Sequence, residues 1–262
     1  MTSTSETGHD KNVANLEDLI SRCTGYGTAY NPSKLSLKIP ALQTLQTSGK
    51  NALQAVKVAE TAHVNATNAR EIAFKPLKTL CTRIVNALGA TDATTQTIDD
   101  AKTINHKIQG VRADSKSKKA LDAFIESTHE TTTISKAPDI VNEISKHTIS
   151  VSQQSYDSLV DNFTKLIQTI STEPLYTPNE NELKVTTLNA QLANLKAANT
   201  VVINAETAYS NALISRNTVL YQKSTGLVDI ALEVKKYIKS LFGAESPQYK
   251  QVSKIKFTRP KR

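Results

Sequence analysis

The residues of this chain that come nearest to a reactive constellation are Glu126, His129 and Glu130, followed by Glu143 and His147. Glu126 and His129 have the Glu-x-x-His spacing that puts a carboxylate and an imidazole on one helix face. Carboxylate-bridged metal sites in helical bundles use that pair twice, with two more Glu from other helices. Here Glu143 and His147 are spaced by four instead of three, and both pairs lie in a Thr-rich stretch of the kind that faces water. The pattern reads as a solvated helix surface, and no metal or other cofactor is expected.

Nucleophilic chemistry has no better starting point. The five His are scattered, no Gly-x-Ser-x-Gly elbow occurs, and neither Cys23 nor Cys81 has a partner in a local signature. Gly25-Tyr26-Gly27 lacks the further Gly and the Lys-Ser/Thr of a phosphate loop, and reads as the end of a helix. An enzyme would need a site assembled from residues far apart in sequence. The expectation is therefore a protein that is not an enzyme, with no catalytic residue to name.

Charge is the more informative chemistry. From Lys235 to Arg262 there are nine Lys or Arg against one Glu, a net +8, and the whole 262-residue chain is also +8, so everything before Lys235 is balanced. The cations are Lys235, Lys236, Lys239, Lys250, Lys254, Lys256, Arg259, Lys261 and Arg262, interleaved with Tyr237, Tyr249 and Phe257. Such a basic edge neutralises phosphates or an acidic surface, in a contact that weakens steeply with salt. No base-reading motif accompanies it, so the plainer reading is a solvated tail.

The elements that must carry these residues are helices. Aromatics are 5%, Trp is absent, and only eight Gly and eight Pro interrupt long stretches rich in Ala, Leu, Lys, Asn, Gln and Thr. That mixture predicts an all-α chain packed through small side chains. No stretch approaches the roughly 18 apolar residues of a membrane helix. Met1 to Asn15 lack the apolar run of a secretory signal, so a soluble, cytoplasmic protein with reduced, buried cysteines is expected.

The chain also repeats itself. A shift of 146 aligns Tyr30 to Arg70 with Tyr176 to Arg216 without a gap, and 15 of the 41 positions are identical, including Tyr-x-Pro, Ala-Glu-Thr-Ala and the closing Arg. Leu16 to Ile20 matches Phe163 to Ile167 at a shift of 147, and Leu88-Gly89-Ala90 matches Phe242-Gly243-Ala244 at 154. The second copy thus carries about eight extra residues before that Gly, about two helical turns. The expected organisation is a loose N-terminus (1–10), a first helical repeat (11–103), an unrepeated helical connector (104–161), a second repeat (162–257) and a basic tail (258–262). The two repeats pack as one domain or as two.

Within each copy one stripe dominates: Ala52, Val56, Ala59, His63, Ala66 and Arg70, answered by Ala198, Val202, Ala205, Tyr209, Ala212 and Arg216. Spacings of three and four place each set on one helical face, filled mostly by Ala as in close helix pairs. The long helix should begin near Pro40 or Thr187, and Pro76 and Gly226 should mark a kink or a hairpin. Gly243 should cap a helix, Ser246-Pro247 should start a short one, and Thr177-Pro178-Asn179-Glu180 has capping-box spacing. Leu35 to Ile39 and Leu183 to Val185 read as short extended links. In the connector, Val141, Ile144, Thr148, Val151, Ser155, Leu159, Phe163, Leu166 and Ile170 trace one face of a helix of about 30 residues, about 45 Å long, which points to an elongated bundle.

The repeated polar residues Glu60, Asn65 and Arg70, with Glu206, Asn211 and Arg216, read as structural pairs. An Arg continuing an apolar stripe enters a helix seam, and a buried charge is nearly always partnered.

The second copy carries Tyr176-Thr177-Pro178-Asn179-Glu180, Asn204-Ala205-Glu206 through Arg216-Asn217, Leu220-Tyr221, the run Val234 to Gly243, and Ser246-Pro247-Gln248-Tyr249-Lys250. In these residues it resembles a family of uncharacterised helical proteins of Bacteroidota bacteria. The resemblance covers about Ser150 to Phe257, and the first copy through the duplication. It implies a helical fold and a cytosolic bacterial setting, and no activity. Together these readings favour an interaction or scaffold protein with a protein partner or a second copy of itself. The alternatives are binding of nucleic acid or an acidic partner through the basic edge, and rearrangement onto a membrane.

Overall fold

A computed structural model describes residues 4–110 and 154–260. Among them the chain is all-α, with no strand. Helix α1 spans Thr4–Gly25, α2 Ile39–Phe74, α3 Leu77–Gly89, α4 Thr95–Gln109, α5 Tyr156–Ser171, α6 Val185–Tyr221, α7 Leu227–Phe242 and α8 Pro247–Ser253, with 3₁₀ turns at Gly27–Ala29, Leu35–Leu37 and Asn181–Leu183.

Local sequence explains most boundaries. Thr94, Ser155 and Ser246 each cap a helix by accepting the backbone N–H three residues on, at 3.2, 3.2 and 3.1 Å. Pro247 follows in the first helical position, where its missing N–H costs nothing. Gly243 ends α7 at φ 88°, a conformation that a side chain disfavours. Helices α2 and α6 begin at Ile39 and Val185, close to the expected starts. Pro76 and Gly226 sit at the N-caps of α3 and α7, where the long helices give way to new ones. Of the eight extra residues of the second copy, one lengthens α6, three lie in the connection 222–226 against 75–76, and four lengthen α7 ahead of Gly243 relative to α3 ahead of Gly89.

Three local expectations are corrected. Thr177 to Glu180 starts no α-helix: the chain stays irregular there and makes a single 3₁₀ turn before α6. The links before the long helices are those 3₁₀ turns, and only Lys38 and Lys184 after them are extended, with ψ 148° and 138°. Helix α5 begins at Tyr156, because Ser155 turns its hydroxyl back to cap it. Its face Leu159, Phe163, Leu166 and Ile170 is buried as expected. Val141, Ile144, Thr148 and Val151 lie outside the described residues.

The chain divides into two compact units that do not follow its sequence order: unit 1 is Met1–Asn65 with Ile203–Arg262, and unit 2 is Ala66–Val202. The core of unit 1 combines Leu16, Leu19, Cys23, Leu37 and Leu42 with Leu220, Leu227, Ile230, Val234, Ile238 and Val252. That of unit 2 combines Phe74, Leu77, Cys81, Ile84, Leu88 and Ile108 with Phe163, Leu166, Ile170, Leu183 and Leu188. Each unit therefore takes its opening elements from one copy and its closing elements from the other.

The repeated Tyr-x-Pro does the same work in both. Tyr30 donates its hydroxyl to the Leu37 carbonyl at 2.7 Å, and Tyr176 to the Leu183 carbonyl at 3.0 Å, all four residues being buried. The bond satisfies the carbonyl of the 3₁₀ turn that launches each long helix. One position departs from the symmetry. Gly49 lies so close to α1 and α7 that a Cβ there would come within 3.1 Å of Val13 and 3.3 Å of Leu227, whereas its match Leu195 fills unit 2's core.

Candidate interaction surface

Helices α7 and α8 and the segment after them form the basic edge of unit 1. Helix α7 buries Leu227, Ile230, Ala231, Val234 and Ile238, which turns Leu232, Lys236 and Lys239 outward at spacings of four and three. Lys239 lies over the ring of Tyr249 on α8, with Nζ 5.7 Å from the centroid. Lys235 reaches the far end of α8 and donates to the carbonyls of Ser253 and Ile255 at 3.1 and 2.8 Å. Lys254 and Lys256 flank that attachment and are exposed.

The expected cations fall into two groups. Lys235 and Arg259 are structural. Burial lowers the pKa of Lys235 from its ordinary value, and its ammonium donates to the last carbonyl of α8 and to that of Ile255 beyond it. Arg259 binds the Asp229 carboxylate and the Tyr221 carbonyl. The Ser224 N–H, and after it Arg259, hold the Asp229 carboxyl below its ordinary range. Lys250 pairs with Glu245 at 3.0 Å, but both are exposed and such a pair is worth little. Lys236, Lys239, Lys254 and Lys256 are exposed and have no acidic partner among the described residues. Lys261 and Arg262 lie outside the described residues.

The interleaved aromatics turn inward. Tyr237 meets Tyr30 edge to face at 5.4 Å, and Phe242 meets Tyr26 in the same way at 5.2 Å. Tyr26 donates to the Gln248 carbonyl at 3.1 Å, and Tyr249 and Phe257 pack against the core of unit 1.

What holds the edge in place was missed in sequence. Asn12 accepts from the Thr258 N–H at 3.0 Å and donates to the Thr258 carbonyl at 2.8 Å, as a strand neighbour would. The same amide donates to the Tyr221 hydroxyl at 3.1 Å, which lies 2.6 Å from His9 Nδ1. Asn15 donates to the Lys256 carbonyl at 2.6 Å. Residues 256–259 are thus fastened to α1, α6 and α7. A signal for this existed: His9 and Asn12 continue the stripe Leu16, Leu19 and Cys23 at spacings of three and four, yet are polar. Both are buried.

The repeated polar residues separate. Glu60, Asn65, Glu206 and Asn211 are exposed, and neither Glu makes an ion pair among the described residues. Arg70 lies over the ring of Tyr156, 4.0 Å from its centroid, so an aromatic face takes the place of a carboxylate. Arg216 is 5% exposed and donates from Nε and Nη2 to Asn217 Oδ1 at 3.2 and 3.0 Å. His63 and Tyr209, matched positions of the stripe, stack with centroids 6.2 Å apart and an interplanar angle of 11°.

Cys23 and Cys81 are free and buried, and burial pushes their thiols up to about 11 and about 12. Among the described residues no group of three His, Cys, Asp or Glu is placed to hold a metal, and no helix is long and apolar enough to cross a membrane. Glu126, His129, Glu130, Glu143 and His147 lie outside the described residues. No family model, curated protein or solved structure matches the chain.

Proposed function

We propose that this chain is a non-enzymatic helical interaction protein whose contact face is the basic edge of unit 1. The observation that carries the reading is the quartet Lys236, Lys239, Lys254 and Lys256, exposed and without acidic partners on a backbone that is fastened at several points. A solvated tail has no need of such anchoring. Two of its cations are spent on holding the segment down, which leaves the others displayed in fixed register. A cytosolic bacterial setting, as the family resemblance implies, accompanies the reading.

The test is capture of partners from a cell lysate by the full chain at low and high salt, beside a variant with all four lysines changed to Glu. Partners held at low salt, released at high salt and lost by the variant are expected. Capture unchanged in the variant would overturn the reading.

The duplication supports a second element of the proposal. The two copies form one folding device in which the opening of each completes the closing of the other. Its support is the matched Tyr30 and Tyr176 hydrogen bonds, and two cores that each draw on both copies.

A further inference from the structure

We propose that the basic edge takes the phosphate backbone of a nucleic-acid duplex, without reading bases. The inference rests on the reading above and names the partner of the same surface.

Three observations narrow the choice among acidic partners. First, the cations that remain displayed are lysines. Arg259 is committed to Asp229 and the Tyr221 carbonyl, so among the described residues of the edge no guanidinium fork is left to grip a base edge. Lysine is a point charge that suits phosphate oxygens and carries no sequence information. Second, Tyr26, Tyr237 and Phe242 are locked edge to face or into the core, and Tyr249 lies beneath Lys239. Single-stranded nucleic acid is held by bases stacking on exposed aromatic rings, whereas Tyr237, Phe242, Tyr249 and Phe257 of this face are each half-buried against the core of unit 1. A duplex keeps its bases stacked on each other and presents phosphates alone. Third, lysines outnumber apolar side chains among the exposed residues of the face: Lys236, Lys239, Lys254 and Lys256 stand beside two exposed leucines, Leu232 and Leu241 of α7. Protein interfaces are enriched in aromatic residues and depleted in Lys at their centre, the reverse of this surface.

The lysines stand where a backbone could be followed. Lys236 and Lys239 lie one turn apart on α7, and Lys254 and Lys256 lie beyond the far end of α8, joined to α7 through Lys235. If each neutralises one phosphate, log K should fall by about 3.6 per decade of salt, from about 0.9 per contact.

The experiment measures binding of the full chain to a labelled 20-base-pair DNA duplex of mixed sequence, at 50 and 200 mM salt. Controls are the single strand of equal length and poly-glutamate as competitor. Expected are tighter binding to duplex than to single strand, indifference to base sequence, a steep salt dependence, and a loss of tenfold or more in the variant Lys236→Gln, Lys239→Gln, Lys254→Gln, Lys256→Gln. A control variant, Lys102→Gln with Lys165→Gln in unit 2, should bind within twofold of the natural chain. Circular dichroism of each variant establishes that its fold is retained. Single strand bound as tightly as duplex, or affinity retained in the quadruple variant, overturns the proposal. Poly-glutamate that binds through the same lysines while duplex does not overturns it in favour of an acidic protein, and leaves the basic-edge reading standing. If neither polyanion binds and lysate capture also ignores the lysines, both readings fall.

Discussion

Units 1 and 2 each combine segments from both of the matched stretches of sequence and are finished differently. Each buries one free cysteine, one tyrosine bonded to the carbonyl that precedes a long helix, and a core drawn from both copies. Their closing helices then diverge. Residues 77–110 of unit 2 carry four Lys or Arg and three Asp, a net +1, while residues 227–262 of unit 1 carry nine against three, a net +6. The chain after α8 is fastened to α1 by Asn12 and Asn15. The features in common are those that close a core. The features present once place charge at the surface, which is why function is sought there.

The comparison breaks most severely if the copies are separated. Residues 1–110 and 154–262, expressed as two polypeptides, each lack half of both cores. Neither should show a cooperative thermal transition as a monomer, and an equimolar mixture should regain one, followed by circular dichroism and sedimentation. A fragment that melts cooperatively alone and sediments as a monomer would show that the exchange is not needed for folding.

A smaller effect sharpens the equivalence of the two tyrosines. Tyr30→Phe and Tyr176→Phe each leave a buried carbonyl without its donor, at a cost of about 1–3 kcal/mol. For a chain of this size that is a fall in melting temperature of about 2–4 °C per kcal/mol. Comparable losses are expected, and a large loss in one with none in the other would show that the motif serves only one unit.

The smallest effect is alkaline. Burial raises Cys23 to about 11 and Cys81 to about 12 from the ordinary 9.0. Below pH 9 both thiols are protonated whether the chain is folded or not, and they add no pH dependence. Above it the unfolded chain releases protons that the folded chain keeps, so stability falls by up to about 1.4 kcal/mol per pH unit for each thiol. The fall ends near pH 11 for Cys23 and near pH 12 for Cys81. Urea midpoints between pH 8 and 11 should decline less in Cys23→Ala and in Cys81→Ala than in the natural chain. An unchanged slope would mean that the thiols ionise as freely folded as unfolded.

Much of the fold is written locally. The stripe Ala52 to Arg70 and its match Ala198 to Arg216 are the more sheltered faces of α2 and α6, as their spacing requires. Gly243 and Ser246-Pro247 mark the helix end and helix start that their backbone preferences dictate. Where local reading went astray, a nearby alternative won. Ser155 had the spacing of a mid-helix residue, but its hydroxyl was better used as a cap. Thr177 to Glu180 had capping-box spacing, but Tyr176 is tied forward to Leu183, and the helix waits until the turn is closed.

The surface was read less fully than the fold. Nine cations at the C-terminus were countable, but their division into anchors and displayed charges was not. Lys235 and Arg259 are indistinguishable from Lys236 and Lys239 until the carbonyls of Ser253, Ile255 and Tyr221 come into place around them. Asn12 and Thr258 are 246 positions apart, and no periodicity spans that separation.

By itself, then, the sequence determined that the chain is helical, where many helices begin and end, which faces are apolar and that its charge gathers at one end. These follow from backbone preference and side-chain spacing within a few turns. Only the tertiary structure decided that each core joins the opening of one copy to the closing of the other, that the aromatics of the basic edge face inward, and that four described lysines are left displayed. Those depend on which apolar face meets which, a choice made between segments up to some 240 residues apart by the burial of their combined surface.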